Sequence, residues 1–330
     1  MAKRWLPAFA AAVIGLTLVL YAAPVRAQSP SAVRIRADND AFNFWLPPWS
    51  RPDEEYTSGV HATLEVGGEA WWARFLGGRV APCRPGLERC ASRTLTLGQD
   101  MYTPARQIGD TATPPGSRPS AGWLYAEETS RVATKTHLDE MSIALGVTGS
   151  PAAAQITQRL AHDMAPRFNR PIDWSQQVPF EPGIILRYER TQRMLAIGDG
   201  TWLGAELRPH GGASIGNIIT EGVAGVRAQA GISPRHPWLP SDDTGGAELT
   251  LFADFTEHGV ARNEFLSGTL FRESAHVQTR PWLAESQVGG TVRWHGLGVT
   301  YRAVRMGSEY TTHIGSHAWS SIETEWRVRP

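Results

Sequence analysis

The chain is short of three things, and each shortage removes a class of protein. It has two cysteines in 330 residues, so neither a disulfide-dense scaffold nor a four-ligand structural zinc site can be built from them. Its 32 basic and 32 acidic side chains cancel, which gives no bulk attraction for nucleic acid or another polyanion. After the first thirty residues no stretch comes near 18 uninterrupted apolar residues, which excludes a bundle of membrane-crossing helices. There is also no HExxH among the ten histidines, so no zincin helix is present.

What is present begins with an export signal. A basic start (MAKRW), an apolar run (LPAFAAAVIGLTLVLYAA) and the small-residue site Val25–Ala27 predict a cleaved signal peptide over 1–27. An uncleaved anchor is the competing reading of so long a run. The whole chain, of which 28–330 would be exported, holds 13 Trp and 33 Gly, a mixture that suits a large antiparallel β structure with aromatic girdles and tight turns. Cys83 and Cys90, in CRPGLERC, predict a pinned hairpin loop that oxidising surroundings would close.

Period-2 alternation recurs along the chain. In VRIRAD, Val33, Ile35 and Ala37 share one face and Arg34 and Arg36 the other; AELTLFADFTE, TVRWHGLGVTYRAVRM and SIETEWRV behave alike. A soluble sandwich alternates too. The predicted strands, however, run about nine to thirteen residues, near membrane-spanning length. Their polar faces are dense in Arg, Glu and His, and aromatics (Trp71, Trp72, Trp123, Tyr125, Trp282, Trp294, Tyr301, Trp319, Trp326) cluster near strand ends. Twelve or thirteen strands can be drawn, and the even-number habit of bacterial barrels selects twelve. The expected fold is an all-β, twelve-stranded antiparallel transmembrane barrel, monomeric, in the bacterial outer membrane. One feature dissents: such chains commonly end on an aromatic, and this one ends EWRVRP.

One segment reads as helix. GSPAAAQITQRLAHDMAP predicts a helix over about 150–164, with Ser150 as N-cap, Pro151 in the first turn and Pro166 as stop. Gln158 and His162, four apart, share a face; an amide beside an imidazole suits water activation near neutral pH. The plain alternative is a histidine settled against the C-terminal end of the helix dipole. The triplet Asp38-Asn39-Asp40 supplies hard oxygens of the kind Ca²⁺ prefers, without the spacing of an EF-hand. Asn39 and Asp40 would point to opposite faces of a regular strand. One of them would then meet lipid unless a bulge or an outer covering element, such as that helix, intervenes.

Seven blocks in order, ADNDAF, EEYTSG, LTLGQDMYTP, RPSAGWLY, ALGVTGSPAAAQITQRLAH, DWSQQVPFEPG and FRESAHV, together resemble the outer-membrane lipid A 3′-O-deacylases of the LpxR family, over roughly Arg34 to Trp326. The resemblance implies a Ca²⁺-dependent hydrolase whose site lies between the barrel wall and a helix of an extracellular loop. By the same likeness Asn39, Thr57, Gln158 and His162 would form the catalytic set, and Asp40 with Asn39 the metal site. Tyr56, Arg118, Gln177 and Glu181 would contact lipid A. His162 is then the expected general base on water, with Gln158 positioning that water or the imidazole. Two positions depart from the family pattern: Ser120 where Tyr is frequent and Asp173 where Gly is usual. The rivals are a non-enzymatic barrel, either a narrow pore or a structural protein, and an outer-membrane phospholipase.

Overall fold

The structure is a computed structural model that describes residues 31–46, 55–68, 78–104, 115–164, 174–198, 202–240, 246–313 and 315–327. The expected signal peptide, Trp71, Trp72 and Asp173 lie outside the described residues. The wall consists of β1 (Ala32–Asn39), β2 (Glu55–Gly67), β3 (Arg89–Thr103), β4 (Ala121–Thr134), β5 (His137–Thr148), β6 (Pro182–Gln192), β7 (Leu195–Ile197), β8 (Leu203–Gly216), β9 (Ile219–Ile232), β10 (Glu248–Asn263), β11 (Trp282–Trp294), β12 (Leu297–Met306) and β13 (His317–Arg327).

Each strand pairs antiparallel with its neighbour, β1 closes on β13, and β6 closes on β8. The three-residue β7 is not a thirteenth stave. Strand β8 pairs with β6 through Gly216–His210 and then with β7 through Leu207–Ala205. β6 and β7 are therefore two pieces of one stave, and the barrel is a closed, twelve-stranded antiparallel one. Closure matters because every wall N–H and C=O finds a partner without water, the condition for spanning a bilayer.

Parity sorts the faces. Ile35, Val60, Leu64, Leu97, Leu251, Val299 and their like are exposed on the outside, while Arg34, Arg36, His61, Thr63 and Asp100 line the lumen. Lumenal charges are paired: Arg34 with Glu65 (2.5 Å) and Glu325 (2.6 Å), Arg227 with Asp254 (2.9 Å). Two lumenal cavities of about 460 and 620 Å³ remain between such pairs. Nearer one rim an apolar plug of Trp123, Ala144, Ile185, Ile218 and Phe265 packs inside the wall and lines the larger cavity. The rim away from Ala32 and Arg327 carries the longer set of connections, 40–54, 104–120, 149–181 and 264–281, against 68–88 and 233–247 on the other, the asymmetry expected of an extracellular rim.

The aromatic reading divides. Trp282, Trp294 and Trp326 are exposed on the outer wall, as a girdle requires. Trp123 stacks on Tyr125, and Trp319 packs edge-on to Tyr56, all inside the lumen. A ring near a strand end faces either way, and only parity with the neighbouring residues decides. Cys83 and Cys90 are joined in a disulfide, so the first residues of β3 are tied to the loop before them.

The loop helix is shorter than expected. Ser150–Ala152 forms a 3₁₀ turn, Ala153 takes φ 58°, and the α-helix α1 runs Ala154–Met164. Ser150 is therefore not its cap. Pro151 suits a first turn, but Gln99 of β3 donates to the Ala152 carbonyl at 2.6 Å. The turn is fastened to the wall before the helix starts, and the left-handed Ala153 takes up the change of direction. The second helix, α2 (Glu264–Ser267), is a single turn that puts Phe265 into the plug.

Candidate functional site between the outer wall and a loop helix

The polar triplet at the end of β1 is split three ways. Asp38 faces the lumen, receiving the hydroxyls of Tyr56 (2.8 Å) and Ser321 (2.5 Å) with Arg36 at 3.3 Å. Asn39 is the last residue of β1, on the face of Ile35, and its side-chain oxygen accepts from the Ala41 amide at 2.8 Å. Asp40 opens a 3₁₀ turn, Asp40–Phe42, and is buried. The strand simply ends at Asn39, so the parity conflict never reaches Asp40.

The expected bulge exists, but in the neighbouring strand. Tyr56 pairs with Tyr102 and Ser58 with Met101, which leaves Thr57 as the extra residue. Tyr56 consequently points into the lumen, its hydroxyl shared with Asp38 and with Asp100 at 3.1 Å. Thr57 sits with its hydroxyl 2.5 Å from that of Thr103, which shares the outer face of Leu97. A bulge thus puts two adjacent residues on different sides of the wall. Of the pair, Thr57 is at the outer site and Tyr56 is not.

One row of the outer face connects the parts. Asn39 pairs with Ser58, Ser58 with Met101, and Met101 with Gly122. At neighbouring-strand spacings, Asn39 lies roughly 10 Å from Met101. The row ends beneath α1, because a Cβ on Gly122 would stand 2.5 Å from the Ala154 Cβ. Met101, Ala154 and Trp174 form a buried cluster there. Over it, Gln158 accepts a hydrogen bond from the Trp174 indole at 2.8 Å. The Gln158 side chain is buried and its NH₂ has no partner among the described residues, so a donor is held ready for an oxygen or imidazole nitrogen. The backbone of His162 lies in α1 one turn further on; its side chain is outside the described residues.

The other flank of this row is also covered. After Asp40 the chain folds back over the outside of β13 and β12. Asn43 donates to the Ala318 carbonyl (2.8 Å) and accepts from Ser320 (2.7 Å), while the Tyr301 hydroxyl lies 3.0 Å from the Phe42 carbonyl. Phe42, Phe44 and Tyr301 stack at 6.0 and 6.1 Å. Asn39 and Thr57 therefore sit in the wall between an aromatic ledge and α1, whose Ile156 and Leu160 are exposed.

The remaining expected contacts lie elsewhere. Arg118 is fully buried in the barrel mouth, its Nη1 donating to Glu309 (2.9 Å) and Glu55 (3.2 Å) and its plane over the Tyr102 ring. Gln177 donates to the Ser150 hydroxyl at 3.3 Å, holding the turn before α1. Glu181 has both oxygens occupied: one accepts from Asn217 (2.8 Å), the other from the Leu270 (2.9 Å) and Phe271 (3.3 Å) amides. It braces the extracellular loops.

Its charge has an electrostatic consequence. Burial, then the nearby Glu181, push the Glu264 carboxyl up to about 8, against the pull of the Thr148 hydroxyl. A carboxyl raised in the folded state stabilises fully at low pH and loses that contribution as pH climbs toward the raised value. The melting temperature should therefore fall between pH 5 and 9 by more in the wild type than in Glu264→Gln. Equal slopes in thermal melts would remove Glu264 from the account.

Donor chemistry at Asn39 and Asp40 is all oxygen, which fits a hard cation such as Ca²⁺. Among the described residues no group of three or more His, Cys, Asp or Glu comes together as a metal site. Any ion held here would draw its other ligands from backbone carbonyls, water or substrate. Gln99, Thr103, Gly122 and Trp174 belong to the site and were not singled out from sequence. Their signal lay in LTLGQDMYTP, RPSAGWLY and DWSQQ, blocks whose individual residues have no obvious chemistry until the helix is in place.

Comparison with known proteins agrees with this fold. No curated protein matches the chain by sequence. The solved structure of LpxR from Salmonella typhimurium superposes with a TM-score of 0.73 at 18% identity, covering 90% of this chain and all of that one. The β domain of the Bordetella autotransporter BrkA reaches 0.45 at 9% identity, over 89% and 97% of the two chains. The family model described as outer membrane protein LpxR matches residues 9–328, and the chain belongs to the LpxR family of outer-membrane proteins.

Proposed function

We propose that this protein is a lipid A 3′-O-deacylase, acting on the ester-linked 3′ acyl or acyloxyacyl group of lipid A in the outer leaflet with Ca²⁺ as cofactor. The observation that carries the reading is the position of the polar set. Asn39, Thr57 and Gln158, whose NH₂ has no partner among the described residues, lie on the lipid side of a closed wall, at the extracellular rim, between two apolar flanks. Asn39 and Thr57 are satisfied by the Ala41 amide and the Thr103 hydroxyl, which leaves the Gln158 NH₂ as the donor of this set without a partner among the described residues. A lipid arriving sideways from the leaflet would meet the half-buried Asn39 first, with Thr57 and Gln158 buried beside it.

In the proposed reaction the His162 imidazole takes a proton from water as its oxygen bonds to the acyl carbonyl carbon. The ester C–O bond then breaks, and the proton passes to the departing sugar oxygen, giving a free fatty acid and a 3′ hydroxyl. Gln158 donates to the attacking water or the imidazole, and Thr57 and Asn39 would stabilise the oxyanion or complete the metal shell. Bound by Asp40 and Asn39, Ca²⁺ would polarise the ester carbonyl.

Mass spectrometry of lipid A from cells with and without the protein tests the reading: loss of one whole 3′ acyl or acyloxyacyl mass is expected. Lysophospholipid accumulation would favour a phospholipase, and unchanged lipid A with altered permeability a pore. Excess EGTA should reduce deacylation to background, and Ca²⁺ should restore it where Mg²⁺, with its stricter octahedral demand, does not. Full activity in the chelator would remove calcium from the reaction.

A further inference from the structure

Arg118 was expected at the substrate, yet it is sealed inside the mouth, so its place in the site needs another account. Its Nη1 grips Glu55 at 3.2 Å, and the Tyr310 hydroxyl donates to the other oxygen of Glu55 at 2.7 Å. Glu309 holds the same Nη1 at 2.9 Å, and Tyr102 lies beneath the guanidinium at 4.6 Å. Both Arg118 and Glu55 are fully buried.

Glu55 has a backbone peculiarity. Its φ is 64°, in the left-handed region that a residue with a side chain occupies only when its surroundings hold it there. It stands immediately before the register shift between Tyr56 and Ser58. That shift is what sends Tyr56 into the lumen and leaves Thr57 on the outer face. A glycine would accept this conformation freely; a glutamate accepts it here because its carboxylate is fastened from two sides.

We propose that Arg118 is a positioning residue which, by clamping Glu55 in its left-handed turn, maintains the β2 bulge and keeps Thr57 on the lipid side of the wall. The blocks EEYTSG and RPSAG are then one device, joined across 63 residues by a single ion pair. Its activity arm rests on the deacylase reading.

The test uses the full-length protein in detergent micelles with purified lipid A. Arg118→Met should lower kcat on the order of tenfold to a hundredfold, the scale of a misplaced reacting group, with KM within about twofold. Adding Glu55→Gly should restore most of kcat, because glycine holds the turn unaided. A rise in KM with kcat intact, as from a lost phosphate contact, overturns the proposal, and so does failure of glycine to rescue. Should Arg118→Met not reach the heat-modifiable folded form, Glu55→Gly alone decides. It should keep at least half of wild-type kcat, and a hundredfold loss refutes the clamp.

Amide hydrogen exchange over residues 55–58 is read in parallel. It should quicken in Arg118→Met and return toward wild type in the double variant; unchanged exchange in Arg118→Met overturns the clamp. If the wild type releases no acyl chain at all, the deacylase reading fails, while the exchange data still decide the clamp.

Discussion

Replacing His162 with alanine is expected to cut lipid A deacylation by about 10²- to 10⁴-fold, the usual worth of a positioned general base, and to leave the barrel folded. The expectation starts from the helix. α1 lies against the outer wall through Ala154 and Gln158, and the backbone of His162 follows Gln158 by four residues, one helical turn. The residues on either side, Arg159, Leu160, Ala161 and Asp163, are exposed. Alanine is the best helix former, so the helix loses nothing it needs to persist. The bland reading, a histidine stabilising the helix end, predicts a small loss of stability and near-normal turnover. A pH profile separates them, since a base near neutrality gives the wild type a rising limb that the variant lacks. Released fatty acid from purified lipid A, measured beside heat-modifiability in gels, is the readout. Turnover within tenfold of wild type would end the assignment.

Most of the wall was legible because its determinants are local. Alternation along β1, β10 and β13 reports which side chains meet lipid, and strand length reports the bilayer. What stayed hidden depends on how two strands register. Nothing in the string EEYTSG says that Thr57 is an extra residue opposite Tyr102 and Met101; without the bulge, Tyr56 and Thr57 look like equal members of one site. Arg118 was hidden for a related reason. A basic residue before proline in a loop reads as a surface contact, and only the tertiary fold brings Glu55, from 63 positions earlier, and Glu309, from 191 later, to the same guanidinium nitrogen. The 3₁₀ turn before α1 likewise follows from a bond to Gln99 of another strand. Sequence therefore carried the barrel and the presence of the helix. It could not carry which side of the wall each neighbour takes.

Gly122→Val should come close to the histidine variant in effect without touching any group proposed to react. Gly122 sits on the outer face of β4, opposite Met101. A Cβ there would stand 2.5 Å from the Ala154 Cβ and 3.2 Å from that of Ala152. Contacts that short do not occur between real side chains, and both neighbours are stubs on the backbone of a fastened turn and a helix. They cannot rotate away, so the helix itself must lift. A β-branched residue suits a strand, and the outer face beyond the helix is already apolar, so the barrel should fold and migrate normally. Lifting α1 by even an ångström withdraws Gln158, and the helix that bears His162, from Thr57 and Asn39. Misplacement on that scale costs about a hundredfold in rate. Gly122→Ala supplies the intermediate case and should lose less than valine. The order expected in kcat is glycine, then alanine, then valine, with quenching of Trp174 fluorescence by a lipid-soluble acrylamide analogue rising in the same order as the Met101–Ala154–Trp174 cluster opens. A valine variant with wild-type turnover would mean that the helix need not rest on the wall for catalysis, and the site would have to be sought away from α1.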